Sequence, residues 1–214
     1  PNWYFRNQDT FFSIKILEGN IYEHNIIGSY QNFYGVDYPH ILEMVSNKNP
    51  IINKTWEYLE LVTKAKKLNI ETNQYVDIRD TTFNKAIFYN DTQCSGEQSL
   101  IVKEDSEDLY FNEIKDTSEE VTISKSENMW SLNNIRNYVD DYTIPIFSSK
   151  WDDIKTNYFI DKVINEDSIN FDKDWNEVEL MRSEFLIMRY TFDNSDNVKL
   201  ITQFSIENTN PSYR

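Results

Sequence analysis

Apolar and polar residues alternate along this chain in short runs, with the period of a pleated strand more often than that of a helix. Phe11-Phe12-Ser13-Ile14-Lys15-Ile16-Leu17 and Ile21-Tyr22-Glu23-His24-Asn25-Ile26-Ile27 read as two strands. The Glu18-Gly19-Asn20 connection between them signals a hairpin. Gly28 to Pro39 reads as an aromatic, polar loop carrying Phe33, Tyr34 and Tyr38, and His40–Val45 as a third strand closed by Ser46-Asn47-Lys48-Asn49-Pro50. Lys54–Lys64 is ambiguous, because Ile52, Trp56, Leu59 and Val62 would also line one helical face; its β-branched and aromatic content favours strand. Ile70–Ile78, Thr82–Asn90 and Leu100-Ile101-Val102 supply further strand patterns.

Over Glu127–Asp141 the spacing lengthens. Trp130 or Leu132, Ile135 and Val139 would share one face of a short helix, with Ser131 as its cap. Glu184–Phe192 and Val198–Ile206 alternate most cleanly of all and are expected to pair as a hairpin through the turn Asp193–Asn197. No repeat of fixed period is visible. The expected fold is mainly β: antiparallel sheets built from hairpins, sandwich-like, with one or two short helices. Three segments are expected, namely a β-rich unit over 1–102, an acidic loop over 103–126, and 127–214 holding the helix and the last hairpin, packed on the first unit.

Composition strengthens the β reading. Among 214 residues, aromatics make up 15%, while alanine occurs only at Ala65 and Ala86 and glycine only four times. Alanine is the best helix former, and Tyr, Phe, Trp, Ile and Thr suit a pleated surface. About 25 asparagines offset the scarce glycine in turns, since Asn tolerates positive φ. The bias toward Asn, Ile, Lys, Tyr and Phe is also what an AT-rich genome would encode. The chain opens on Pro1 with no signal-peptide pattern, which suggests a processed fragment or a piece of something longer.

Charge narrows the classes of partner. A formal charge of −15 and a pI near 4.5 argue against sequence-independent nucleic-acid binding and against docking on anionic lipid. A mean hydropathy of −0.66, with no apolar run near 20 residues, gives no membrane-spanning segment. One cysteine excludes an internal disulfide framework and a Cys-based zinc site.

Candidate chemistry is sparse. His24 and His40 are read as structural or surface residues, because nothing in the pattern brings them together. Cys94 would need a basic partner to act as a nucleophile, and no acyl-transfer signature surrounds it. Asp193-Asn194-Ser195-Asp196-Asn197 and the acidic residues of 104–120 offer oxygen ligands but lack EF-hand spacing, so a hairpin turn and a solvated strip explain them better. Asp172, Asp174, Glu177 and Glu179 around Trp175 echo a glycosidase carboxylate pair, yet carboxylates are common here. Asn53-Lys54-Thr55 and Asn90-Asp91-Thr92 match the glycosylation sequon as chance would. There is no phosphate loop, dinucleotide fingerprint or nucleophile elbow. No catalytic, cofactor-binding or metal-binding residue is assigned, no cofactor is expected, and the chain is not read as an enzyme.

Several phrases in sequence order carry a resemblance. They are Gly19-Asn20-Ile21-Tyr22-Glu23-His24-Asn25, Asn32-Phe33-Tyr34-Gly35, Asn47-Lys48-Asn49-Pro50, Lys54-Thr55-Trp56, Ala86-Ile87-Phe88-Tyr89-Asn90-Asp91-Thr92-Gln93-Cys94-Ser95-Gly96, Trp130-Ser131-Leu132-Asn133 and the closing Ser212-Tyr213-Arg214. Together they resemble the C-terminal region of the large tail (muzzle) proteins of crAss-like bacteriophages, which narrow the distal end of a short tail. The resemblance implies a structural part of the virion, arranged in many copies around the tail axis and bound to itself and to other tail proteins. It transfers no catalytic residue. The acidic charge fits a wall along which DNA slides without sticking, and equally fits simple solubility. A glycan-binding or host-recognition module is the alternative, since exposed Trp and Tyr stack on sugars while Asn and Asp bond their hydroxyls. A hydrolase is the third reading, and it requires a pocket that brings paired carboxylates, or Cys94 and a histidine, into reach.

Overall fold

The computed structural model describes residues 3–8, 10–15, 18–24, 30–79, 81–102, 120–126, 129–133, 135–139, 177–193 and 198–212. These residues are mostly strand, and no helix occurs among them. Strand β1 (Trp3–Asn7) pairs with β2 (Thr10–Lys15), and β2 with β3 (Asn20–His24), in an antiparallel three-stranded sheet. The expected β2–β3 hairpin is present, with Phe11 opposite His24 and Lys15 opposite Asn20. The stretch read as a loop holds a miniature hairpin, β4 (Asn32–Phe33) with β5 (Val36–Asp37). Its two turn residues, Tyr34 and Gly35, have φ of 57° and 78°. Two consecutive positive φ values are what a two-residue turn needs to follow the twist of its strands, and glycine takes the second without strain.

A ten-stranded sheet holds the rest. Its strands are β6 (His40–Ser46), β7 (Lys54–Asn69), β8 (Gln74–Ile78), β9 (Lys85–Tyr89), β10 (Gln98–Val102), β11 (Glu120–Ser126), β12 (Met129–Asn133), β13 (Arg182–Ser183), β14 (Leu186–Phe192) and β15 (Val198–Pro211). Its strands therefore come from both sides of residue 103. Strand β7 is the spine. β15 runs along one edge of it from Lys67 to Lys54, and the short strands β8, β12 and β13 share its other edge. From β12 the order continues through β11, β10, β9 and β14 to β6. β10 and β11 run parallel, and every other pairing of the described strands is antiparallel.

Asparagine does take turn positions that glycine often fills: Asn49 and Asn73 have φ of 58° and 52°. At the β7–β8 turn the Asn69 side-chain oxygen accepts the N–H groups of Glu71 and Thr72, at 2.9 and 3.3 Å. The core is one cluster that includes Trp56, Leu59 and Leu61 from β7, Trp130 and Leu132 from β12, Phe88 from β9, and Leu186, Met188, Tyr190 and Phe192 from β14. Lys54 is buried beside it, its Nζ donating to the carbonyls of Lys48 (2.7 Å), Asn49 (3.2 Å) and Glu184. That ammonium ties the β6–β7 turn to the segment preceding β14.

Three expectations are corrected. The helix over 127–141 is absent from the described part of that stretch: Met129–Asn133 is strand β12, and Trp130 and Leu132 lie opposite Leu61 and Leu59 of β7. Ile135 and Val139 follow in irregular chain held by Met181 N–H to Ile135 O and Val139 N–H to Cys94 O. Pairing on both edges of β12 outweighs a weak helical periodicity. The hairpin of 184–206 is also absent. Both strands form, yet β14 lies between β6 and β9 while β15 pairs with β7. Finally, the end of the expected acidic loop, Glu120–Ser126, is strand β11; residues 103–119 lie outside the described residues.

Candidate functional site

The singled-out polar residues do not converge. Cys94 is fully buried, and its Sγ accepts the Gly96 N–H at 3.4 Å. Burial pushes its thiol up to about 12, the opposite of what a nucleophile needs. Cys94 bridges Tyr89, which lies opposite Ile187, whereas His40 lies opposite Phe192. Five residues along β14 separate those levels, roughly 17 Å at the rise of a strand. His40 stands on the outer strand β6 with its ring 6.3 Å from that of Phe83. Asp172, Asp174 and Trp175 lie outside the described residues, and Glu177 and Glu179 are exposed. Of the turn 193–197 only Asp193 is described, and its N–H donates to the Asn84 side-chain oxygen at 2.6 Å. Asn90 of one sequon is buried, its side-chain oxygen accepting the N–H groups of Thr92 and Gln93 at 2.8 Å each. Among the described residues no group of three or more His, Cys, Asp or Glu is placed to hold a metal ion.

One serine–histidine contact went unnoticed in the sequence. Ser13 Oγ and His24 Nε2 lie 2.7 Å apart, and Ser13 Oγ donates to the Tyr34 hydroxyl at 3.0 Å. A nucleophile and its base meet at such a distance, but the nucleophile must also be reachable. Ser13 is fully buried. The trio instead fastens the β4–β5 hairpin to the three-stranded sheet. The Tyr34 ring meets those of Tyr22 and His24 edge-on, at 4.8 and 5.6 Å. The register β2↔β3 foretells only that Ser13 and Tyr22 are opposite, with His24 next on the same face.

The other face of this sheet is where the chain's surface chemistry concentrates. Trp3 pairs with Ile14, Phe5 with Phe12, and Ile14 with Ile21, so these five side chains share one face. Trp3 is 65% exposed, Ile21 63% and Phe5 41%. The Phe5 and Phe12 rings stack at 5.1 Å and 12°. Phe12 and Ile14 are half-buried, and contiguous exposed apolar side chains of this kind are often functional on a monomer. The opposite face carries a polar cluster at the hairpin end. Lys15 and Tyr22 both donate to the Glu18 carboxylate, Tyr22 at 2.6 Å. The Lys15 hydrogen bond and the Tyr22 hydroxyl hold that carboxyl below its ordinary range, and Glu18 in turn raises Lys15. An aromatic and aliphatic face that also carries Glu23, opposite Phe12, suits burial against another macromolecule better than it suits turnover of a small substrate. No protein-family model matches this chain, and no curated protein matches it in sequence.

Proposed function

We propose that this chain is a non-enzymatic structural component of a bacteriophage virion, a module of the tail assembly that forms subunit interfaces around the tail axis. The observation that carries the reading is the exposed face of Trp3, Phe5, Phe12, Ile14 and Ile21. Left in water, such a face makes an isolated subunit adhesive; buried against a neighbour, it contributes the apolar centre that stable assemblies use. The resemblance to tail muzzle proteins supplies the setting, and the acidic charge is compatible with a conduit that does not retain DNA. Its partners on this reading are further copies of itself and other tail proteins, with neither sequence-specific nucleic-acid binding nor a membrane span. Among the described residues no helix is long and apolar enough to cross a bilayer.

Native mass spectrometry of virions or tails containing the chain tests this. A stoichiometric, multi-copy complex with partner chains is the expected result. A 25.6 kDa monomer that binds glycans on an array, with Trp3 required, would replace it with the glycan-recognition reading.

A further inference from the structure

In a chain of formal charge −15, cations gather on one face at one end of the long strand β7. Lys66 lies directly opposite Lys199 of β15, and Lys64 follows two residues along with no irregularity between them. The three therefore share one face. On the other side of β7, Asp77 of β8 stands opposite Lys66, and the two make an ion pair at 3.5 Å. Lys199 Nζ lies 5.7 Å from the centre of the Tyr75 ring, also on β8, and the Tyr75 hydroxyl is hydrogen-bonded to that of Tyr30. Lys64, Lys199, Asp77 and Tyr75 are exposed. Like charges directly opposite each other destabilise a sheet. Three lysines around one carboxylate therefore form a feature that the fold itself does not ask for, beside a tyrosine of the kind that interfaces favour.

We infer that this lysine face of β7, β8 and β15 is the docking surface for the acidic surface of a second copy of this chain. The inference deepens the assembly reading above and rests on it. The argument is charge complementarity. Copies carrying −15 repel one another, and the repulsion grows as they are brought around a common axis. The lysine face is set against an otherwise more acidic chain, so a head-to-tail contact joins opposite signs where a face-to-face contact of two lysine patches would not. A nucleic-acid phosphate backbone would meet the same three cations, so duplex DNA is included in the test as the competing ligand.

The test is sedimentation velocity of the purified chain over a concentration series at 50 and 500 mM NaCl. The comparison variants are Lys64→Glu/Lys66→Glu/Lys199→Glu and the milder Lys64→Gln/Lys199→Gln, each checked for an unchanged circular dichroism spectrum. The expected result is self-association that weakens at least tenfold in high salt, weakens by a similar factor in the Glu variant at low salt, and weakens less in the Gln variant. If the wild-type chain associates and both variants match it, the lysine face is not the interface, and the assembly reading stands without it. A wild-type chain that is monomeric at every concentration, while a fluorescent duplex DNA binds through the lysines, overturns the inference in favour of a polyanion. Such a monomer also counts against the assembly reading, for which the multi-copy mass of native tails is the separate check.

Discussion

The two sheets use the same kinds of residue to opposite ends. In the ten-stranded sheet, Trp56, Trp130, Tyr89, Tyr190 and Phe88 are among the most deeply buried side chains. In the three-stranded sheet, Trp3, Tyr4, Phe5 and Phe11 are all exposed. The aromatic surplus is thus divided between a core and a surface. Within 1–24 the charges nearly cancel, with Arg6 and Lys15 against Asp9, Glu18 and Glu23, so the acidity of the chain resides elsewhere. One region is built to hold itself together in water; the other is stable by itself only to the extent that a small sheet can be. The contrast teaches that aromatic content alone does not locate a core.

The sharpest way to break this contrast is to truncate a tryptophan on each side. Trp130→Ala should destabilise the fold by about 3–5 kcal/mol in denaturant titration, since it empties a fully buried site between β12 and β7. Trp3→Ala should change that midpoint by no more than about 0.5 kcal/mol. If the face is an interface, Trp3→Ala should nevertheless weaken association clearly, and equal effects on stability from the two variants would erase the distinction.

Next in size comes Lys54→Met, which removes a buried cation from three carbonyls. It should cost about 3 kcal/mol by thermal unfolding, because the acceptors stay buried without their donor. On the small sheet, Ser13→Ala should cost about 1 kcal/mol. Its larger signature is faster hydrogen exchange across residues 30–38, where Tyr34 loses its anchor, with protection in β7 unchanged.

A further effect is one of pH. The Cys94 thiol is raised from 9.0 to about 12, so between those values the unfolded chain loses a proton that the folded chain keeps. Stability from this group is complete below pH 9 and declines above it, at about 1.4 kcal/mol per pH unit at most. Comparing wild type with Cys94→Ala from pH 8 to 10.5 isolates it from Tyr89, whose hydroxyl is also raised, first by burial and then by Glu43. Parallel curves for the two proteins would remove Cys94 from the account.

Much of the strand content was legible in alternation, and the β2–β3 hairpin was legible over Phe11–Lys15 and Ile21–His24, because its connection is local and carries Gly19 and Asn20; residues 16–17 and 25–27 of the expected arms lie outside the described residues. Pairing across long separations was not. Alternation in Leu186–Phe192 tells which residues face inward, and Leu186, Met188, Tyr190 and Phe192 do. It is silent about whether the neighbour is β15 or the pair β6 and β9. Trp130, Leu132, Ile135 and Val139 satisfied a helical spacing and a strand followed by irregular chain equally well, and only the partner β7 decides between them. Trp3-Tyr4-Phe5-Arg6-Asn7 showed no alternation, because every side chain in β1 is exposed, so the strand that bears much of the apolar face left no periodic trace. The lysine face was likewise hidden, since Lys66 and Lys199 meet only through the β7–β15 register.

That register also has a consequence in time. Residues 54–67 leave the ribosome well before residues 198–211, which are to lie along them. At about 5–20 residues per second, one whole edge of the spine waits on the order of ten seconds for its partner. During synthesis, a long unpaired edge beside Trp56, Leu59 and Leu61 is a template for the wrong strand. The nascent chain should therefore depend on holdase chaperones until β15 emerges, and its yield should respond to translation speed more than its equilibrium stability would suggest.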